Sequence, residues 1–277
     1  MSMDIQKLTP AIGAQVIGTD LNTAMDTHTL TALQTALSEH QVLFFRRQFI
    51  GPEVHRDLAA SLGQLHIHPI YPSHKKANEI IVLDSHLLDL KDNELWHTDM
   101  TFMEKPALGC VLSAVQVPAF GGDTLWASLT RAYADLSPPM RQFLSGLTAE
   151  HDISRSFPDS RFAQTKEAKA SLKKAVQDYP PVSHPVVRTH PVTGEKCLFV
   201  TEGFTSSINE LSHEESDILL AFLFKHSTRP TYTVRWHWQN GDVAIWDNRC
   251  TAHLACFDYG NAHRIMHRAT VTGDIPF

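Results

Sequence analysis

A histidine and an aspartate separated by one residue, His97 and Asp99, form the motif with the clearest chemical potential in this sequence. On an extended segment their side chains point to the same face, because side chains alternate with a period of two, whereas on a helix they would diverge by about 200°. With the distant His253 they would make a 2-His-1-carboxylate triad, which leaves metal positions open for substrates and suits non-haem Fe(II). Because the chain holds 17 histidines, the pair alone is weak evidence, and these ligand types do not dictate iron over manganese or cobalt.

Two arginines, Arg264 and Arg268, follow His253 in a run of apolar and β-branched residues that extends to Val271. This composition predicts a strand, on which Arg264 and Arg268 share one face while His267 lies on the other. A guanidinium holds a carboxylate or sulfonate through paired donors, and two of them on an inner face would be costly to bury without anions. The alternative is an exposed edge, or ion pairs with Asp and Glu side chains of the chain itself.

Length, charge and hydropathy exclude several classes of protein. At 277 residues the chain has room for one large domain or two small ones. Its formal charge of −6 argues against a nucleic-acid partner, which would require a basic face. No stretch approaches the roughly 18 to 20 apolar residues that cross a bilayer, and the first residues lack the basic and apolar regions of a signal peptide. We therefore expect a cytoplasmic protein with no membrane partner.

The cysteines lack the short paired spacing of a zinc site, and their neighbours are typical of core strands. In a reducing compartment this pattern predicts buried free thiols rather than disulfides. The four are Cys110, Cys197, Cys250 and Cys256.

Short strands with helices inserted between them are predicted along the whole chain. Leucines at helical spacing predict a helix over about 30–37, and Pro52 opens a second that ends by Gly63. Further helices are predicted over about 129–144, with a break at the two prolines 138–139, and after a capping box at Ser212 and Glu215. Strands are predicted over 41–45, 79–84, 107–114, 231–238 and 243–246, with a turn at Asn240-Gly241 between the last two. The pattern favours a mainly β fold with inserted helices (α+β), a decorated jelly roll.

Four separated motifs, in order, resemble those of the taurine dioxygenase family of Fe(II)/2-oxoglutarate-dependent oxygenases. They are Trp-His-Thr-Asp at 96–99, Gly-Gly-Asp-Thr-Leu-Trp at 121–126, Trp-Asp-Asn-Arg at 246–249 with His253, and Arg-Ile-Met-His-Arg-Ala-Thr at 264–270. Stretches 63–72 and 150–158 resemble the taurine-hydroxylating members in particular. The likeness runs from about Ile12 to Asp274. It implies a double-stranded β-helix (jelly roll, cupin-like) core, a single domain over residues 1–277, Fe(II) as cofactor, and 2-oxoglutarate and O2 as co-substrates.

The resemblance also implies roles for individual residues. It implies that the metal is bound by His97, Asp99 and His253, and that 2-oxoglutarate is bound by Thr124 and Arg264. It places the anionic end of the substrate against His68 and Arg268, and the amine end near Tyr71 and Asn93, with Ser156, Phe157 and Phe204 lining the carbon chain. No side chain is needed as a general base. Before the family is considered, core packing is the better explanation for each of these aromatic residues, and a satisfied core or surface position is the better explanation for His68.

The activity that this resemblance implies is hydroxylation of taurine at the carbon next to the sulfonate. The product would collapse to sulfite and aminoacetaldehyde, with succinate and CO2 as co-products. A second hypothesis is an oxygenase with the same iron site that acts on another sulfonate, an alkyl sulfate or an aryloxy acid. A third is a non-catalytic jelly-roll protein that binds a metal or ligand. The partner is in each case a small molecule, and exposed strand edges together with the family habit predict a homodimer or homotetramer.

Overall fold

Strands dominate the computed structural model of the chain, which describes residues 3–68, 71–87, 94–157 and 162–277. The strands are β1 (Asp4–Lys7), β2 (Ala14–Ile17), β3 (Val42–Phe45), β4 (Leu65–His66), β5 (Ser73–His74), β6 (Ala77–Asp84), β7 (Ala107–Gln116), β8 (Thr124–Ser128), β9 (Thr148–His151), β10 (Val182–Pro185), β11 (Val187–Thr189), β12 (Lys196–Leu198), β13 (Thr205–Ile208), β14 (Thr233–Trp236), β15 (Val243–Asp247), β16 (Thr251–Ala255) and β17 (Ile265–Thr272). The α-helices are α1 (Thr27–His40), α2 (Pro52–Ala60), α3 (Leu129–Ala134), α4 (Pro138–Leu144), α5 (Lys166–Asp178) and α6 (His213–Ser227), with 3-10 turns at Ile153–Arg155 and Pro230–Tyr232. The prediction of a mainly β fold with inserted helices is confirmed.

A nine-stranded sheet forms the larger layer, in the order β1-β2-β3-β15-β7-β17-β6-β5, with β4 also paired to β17. Its pairs are antiparallel except for β2 and β3. β17 lies between β7 and β6, so the strand that carries Arg268 occupies the interior of this sheet. Arg264 immediately precedes it.

A three-stranded sheet, β14-β8-β16, packs against the larger one. Aromatic residues from the two sheets meet in one core: Phe44 stacks on Trp236 at 4.3 Å, and Trp126 contacts Trp246 edge-on at 5.7 Å. Large aromatic rings bury much apolar area and favour offset or edge-on contacts. This core fixes the distance between β16, which carries His253, and the larger sheet.

Local signals explain where several helices begin. Pro52 occupies the first turn of α2, where its missing N–H removes no helical hydrogen bond. Ser212 and Glu215 form the predicted capping box of α6, with both reciprocal bonds present. The predicted helix over 129–144 is two helices, because Ser137 caps a new helix at Pro138. No helix among the described residues is long and apolar enough to cross a membrane.

Two predictions from local sequence were wrong in detail. The segment 231–238 is a strand only over Thr233–Trp236, and the turn at Asn240-Gly241 does not join a hairpin, because β14 pairs with β8 whereas β15 pairs with β3 and β7.

The four cysteines are free thiols as predicted, but Cys256 is only half-buried.

Candidate active site

The predicted triad is assembled by one isolated backbone bridge. His97 and His253 exchange hydrogen bonds in both directions, with N–H to O distances of 3.0 and 2.8 Å. His253 belongs to β16, whereas His97 lies outside any longer strand and Asp99 begins a turn. The extended segment predicted for His97 and Asp99 is therefore a single bridge at His97 followed by a turn at Asp99, and both side chains still face the same site.

Further hydrogen bonds join the ligand-bearing segment to residues 248 and 251, beyond the bridge itself. Thr98 donates its hydroxyl to the carbonyl of Thr251 at 2.8 Å. Asn248 holds the backbone of Asp99 from both sides, because its Oδ1 accepts from the Asp99 N–H at 2.8 Å and its Nδ2 donates to the Asp99 carbonyl at 2.9 Å. The position of the carboxylate is thus determined by protein contacts made before any ligand binds.

The three candidate ligands fit a metal ion in burial and in donor chemistry. His97, Asp99 and His253 are all buried, and one ligand atom from each lies within 4.8 Å of the others. Nε2 of each histidine is 3.7 Å from an Asp99 oxygen. The Nδ1 of His97 lies 2.8 Å from the Leu95 carbonyl; it must donate there, which leaves the Nε2 lone pair for a cation.

Asp99 has two further contacts. Arg268 donates from Nη1 to Oδ1 at 3.0 Å, and the Cys110 thiol lies 3.2 Å from Oδ2. Burial alone would raise the pKa of Asp99, but Arg268, followed by His253 and His97, holds it below its usual range. Burial lowers the pKa of His253 well below its usual value, so the site offers a carboxylate and a neutral imidazole.

A second buried group with possible metal ligands, formed by His190, Asp247 and Cys250, is already satisfied within the protein. Asp247 receives two hydrogen bonds from the Arg249 guanidinium, at 2.9 and 2.6 Å. Nδ1 of His190 accepts from the Thr193 N–H at 3.1 Å, which leaves Nε2 as the nitrogen that donates to Asp247 at 3.0 Å. A cation would have to displace a guanidinium and a bound proton.

One side of the triad opens into a cavity that is here named the Tyr71 cavity. Arg268 and His68 provide its polar wall, and Ser156 lies beside His97 with its hydroxyl bonded to the Gly203 carbonyl at 2.6 Å. Burial, and then the charge of Arg268, lower the pKa of His68 to about 3, so this imidazole is neutral near pH 7. Its other lining residues are Tyr71, His97, Asp99, Met100, Phe102, Phe157 and Phe204.

The other side opens into a second cavity, the Arg264 cavity, whose lining includes Thr124, His253, Arg264 and Arg268. Arg264 is only 5% exposed, and the one hydrogen bond of its guanidinium within the described chain runs from Nε to the Gly122 carbonyl at 3.2 Å. Burial lowers the pKa of this guanidinium, and no carboxylate of the described residues forms an ion pair with it. A buried cation without an anion is the environment that a carboxylate ligand would complete.

Glycine at position 122 is required by this arrangement. Its φ of +69° lies in the left-handed region, and an added Cβ would lie 3.2 Å from the Arg264 side chain and 3.2 Å from Tyr259. Any larger residue would press on the guanidinium stem. The loop that leads into β8 therefore positions Thr124 and also contacts the Arg264 side chain.

Comparison with known proteins decides the family. The model for the taurine catabolism dioxygenase TauD, TfdA family matches residues 4–270. This chain belongs to the TauD/TfdA family. It is an Fe(II)- and 2-oxoglutarate-dependent dioxygenase that also uses O2, and its fold is the cupin-like jelly roll of that family.

Similar proteins differ in the substrate that their names state. This chain is 36% identical over 281 residues to an alpha-ketoglutarate-dependent sulfate ester dioxygenase of Pseudomonas putida. The alignment covers 100% of this chain and 91% of the relative. The chain is 37% identical over 275 residues to an alkylsulfatase of Acinetobacter baylyi, with 99% and 86% covered. A taurine dioxygenase from Burkholderia xenovorans superposes with a TM-score of 0.85 at 34% identity, covering 100% of this chain and 91% of that one.

The structure brings together all the predicted site residues that it describes. His97, Asp99, His68, Tyr71, Ser156, Phe157 and Phe204 line the Tyr71 cavity, Thr124, His253 and Arg264 line the Arg264 cavity, and Arg268 lines both. Asn93 lies outside the described residues. The sequence did not indicate the roles of Cys110, Met100, Phe102 and Gly203, the hydrogen bonds of Asn248 to the Asp99 backbone, or the contact of Trp238 with Thr124. Of these, only Asn248 carried a signal, since it stands inside a family motif.

Proposed function

We propose that this TauD/TfdA enzyme hydroxylates taurine at the carbon that bears the sulfonate. Taurine, 2-oxoglutarate and O2 would give aminoacetaldehyde, sulfite, succinate and CO2, which balances all atoms. Bound by His97, Asp99 and His253, Fe(II) would supply the oxygen chemistry that couples the decarboxylation to the hydroxylation. The protein side chains bind, orient and shield the reactants.

The observation that carries the proposal is the composition of the Tyr71 cavity. Arg268 supplies a guanidinium, and His68 supplies a neutral imidazole whose Nδ1 accepts from the Tyr71 N–H at 3.2 Å. That bond places the ring proton on Nε2, so the wall combines a cation and a hydrogen-bond donor suited to a sulfonate. The anion-binding residues line the same cavity as the metal ligands His97 and Asp99, which suits a short aminosulfonate.

Aromatic residues would hold the carbon chain beside the metal. Phe204 lies 6.4 Å from the ring of His97 and packs on Phe102 at 5.2 Å. Phe157 lies 5.9 Å from Tyr71, so these rings form an apolar wall between the anion end and the remainder of the cavity. Tyr71 and Asn93 are proposed for the amine end.

In the Arg264 cavity, we assign the distal carboxylate of 2-oxoglutarate to Arg264 and Thr124. The support is the buried guanidinium that has no carboxylate partner among the described residues. Thr124 adds a neutral donor on the wall of the same cavity. No general base is assigned, since no step requires a side chain to remove a proton.

An alkyl sulfate is the second candidate substrate. It shares the anionic oxygens that Arg268 and His68 would bind, and the apolar wall formed by Met100, Phe102 and Phe204 would accept an alkyl chain. The names of the Pseudomonas putida and Acinetobacter baylyi relatives support it. Family membership supports an enzyme over the third hypothesis of a non-catalytic binding protein.

Products distinguish the two substrates. The iron-loaded enzyme is given 2-oxoglutarate with taurine or with butyl sulfate, and O2 consumption, sulfite and sulfate are measured. We expect taurine-dependent O2 uptake with one sulfite released per O2, and a lower kcat/KM for butyl sulfate. Sulfate release from butyl sulfate with the higher kcat/KM would replace taurine by alkyl sulfates as the substrate class.

A variant of His68 tests the anion wall. In His68→Ala the KM for taurine should rise about tenfold or more, because a hydrogen bond to a charged group is lost, while the KM for 2-oxoglutarate stays unchanged. The matched control is His267→Ala, since His267 lies on the opposite face of β17 from Arg268 and packs on His74 at 5.2 Å. An unchanged KM for taurine in His68→Ala would remove this residue from the site.

A further inference from the structure

A tryptophan outside the two cavities contacts the hydroxyl of Thr124. Trp238 lies two residues beyond the end of β14, and its Nε1 is 2.9 Å from Thr124 Oγ1. Both side chains are 2% exposed. Trp238 is absent from the lining of the Arg264 cavity, whereas Thr124 belongs to it.

The direction of this hydrogen bond is fixed by chemistry. An indole N–H can only donate, so Thr124 Oγ1 must be the acceptor. A hydroxyl has one proton of its own to donate, and that proton must avoid the side already occupied by the indole N–H. Within the described chain, Trp238 is the one side-chain partner of this hydroxyl.

We propose that Trp238 is a positioning residue for 2-oxoglutarate. By donating to Thr124 Oγ1, it turns the hydroxyl so that the O–H proton is directed into the Arg264 cavity, toward the distal carboxylate of the co-substrate. The hydroxyl is thereby set as a donor before the anion arrives, and it is polarised by the bond that it accepts. The inference rests on the proposed role of Thr124.

The surrounding packing supports a fixed geometry. The indole of Trp238 lies 6.2 Å from that of Trp126, which belongs to β8 as Thr124 does. β8 is the central strand of its sheet and is paired on both edges. Thr124 is therefore carried by a strand that is held on both edges.

A double-mutant cycle tests the proposal on the full-length protein. Trp238→Phe keeps the aromatic bulk and removes the N–H, and Thr124→Val keeps the shape and removes the hydroxyl. Binding of 2-oxoglutarate to the Mn(II)-loaded proteins is measured by calorimetry, which needs no turnover. We expect binding to weaken about 3- to 10-fold in Trp238→Phe and about 10-fold or more in Thr124→Val, while the double variant binds about as weakly as Thr124→Val alone.

Controls separate positioning from general destabilisation. Trp236→Phe is the matched control, since its indole donates to Asp242 at 3.2 Å instead; it should leave 2-oxoglutarate binding unchanged. Thr124→Ser keeps the acceptor and should bind nearly as the parent does. In steady-state kinetics, Trp238→Phe should raise the KM for 2-oxoglutarate and leave the KM for taurine unchanged. If Trp238→Phe does not fold, Trp238→Leu, which also lacks a hydrogen-bond donor, takes its place.

The outcomes distinguish this inference from the proposed function. Unchanged binding in Thr124→Val would remove Thr124 from the 2-oxoglutarate site, and the inference with it. Weakened binding in Thr124→Val together with an unaffected Trp238→Phe, or losses that multiply in the double variant, would overturn the role of Trp238 alone.

Discussion

Single residues that would never touch the metal determine where its candidate ligands lie. Asn248 is fully buried, and besides its two bonds to the Asp99 backbone it donates to the Ala107 carbonyl at 3.1 Å. Partners of this kind orient ligands, and their loss weakens metal binding about 10- to 100-fold. One amide side chain thus joins the Asp99 turn, β7 and the segment before β16.

Replacing that amide is a test at the residue scale. Asn248→Ala should weaken Mn(II) binding by about 10- to 100-fold, measured by calorimetry on the purified protein, because the Asp99 backbone loses both of its contacts. Asn209→Ala is the matched control, since the Asn209 amide bonds only Thr148 and Ser183 among the described residues. Equal Mn(II) affinities in the two variants would show that the turn holds Asp99 without Asn248.

The residues that could be predicted from sequence share a reason. His97 and Asp99 are close in sequence and of ligand type, and Arg264 and Arg268 have strand spacing, so local rules and family motifs identify them. The Cys110 thiol carries no such signal, since its contact with Asp99 depends on how β7 packs against the turn. The contact of Trp238 with Thr124 carries no such signal either, because a donor finds its acceptor only in the folded sheet.

At the scale of elements, the segment between β12 and β13 limits how the His97 segment can pack. An added Cβ at Gly203 would lie 2.7 Å from His97 Cβ and 3.2 Å from Ser156 Oγ. The Gly203 N–H also donates to the Trp96 carbonyl at 3.2 Å. The absence of a side chain here lets two backbones approach closely, directly beside the triad.

Gly203→Ala tests this close approach. It should lower the free energy of unfolding by about 1–3 kcal/mol, the usual cost of overpacking, and weaken Mn(II) binding, because His97 must move. Gly51→Ala serves as the control, since its added Cβ would meet nothing nearer than 3.8 Å. Urea titration and calorimetry give the two quantities, and full retention of Mn(II) affinity would contradict the constraint on His97.

Element boundaries were predictable where the chain itself carries the signal, as at Pro52 and at the Ser212 capping box. The turn at Asn240-Gly241 shows where this ends. A turn sequence reports that the chain reverses, but β14 and β15 on either side of it join different sheets. Which strand pairs with which is decided by burial of the Phe44–Trp236 core, and that information is spread over the whole chain.

For the molecule as a whole, buried neutral histidines predict acid sensitivity. Burial lowers the pKa of His55 to about 4 and that of His151 to about 3, whereas unfolded histidine titrates near 6.5. Between those values the unfolded chain binds more protons than the folded one, so stability is complete above about pH 6.5 and falls as the pH drops toward 4. Each group contributes roughly 3 kcal/mol over that range, at 1.36 kcal/mol per pKa unit.

The prediction is checked by urea unfolding of the metal-free protein at several pH values. Between about pH 4 and 6.5, His55→Gln should reduce the slope of the unfolding free energy against pH by about 1.36 kcal/mol per pH unit, the contribution of one proton. The reason is that the buried imidazole is removed. His28→Gln, at an exposed position, is the control and should keep the parent slope. The same slope in all three proteins would mean that His55 does not titrate with unfolding.

Two expectations about the whole molecule stay predictions. One is a single domain over residues 1–277, and the other is a homodimer or homotetramer. Light scattering on the eluting protein measures the assembly directly.

The order of strands along the chain has a consequence for synthesis. β17 is made after β6 and β7, yet it pairs between them in the sheet. Before β17 pairs, Arg268 is not yet beside Asp99. The Asp99 carboxylate would then lie next to two imidazoles without its guanidinium partner. The triad would therefore have its mature neighbours only after β17 has emerged and paired, which ties cofactor loading to the insertion of this strand.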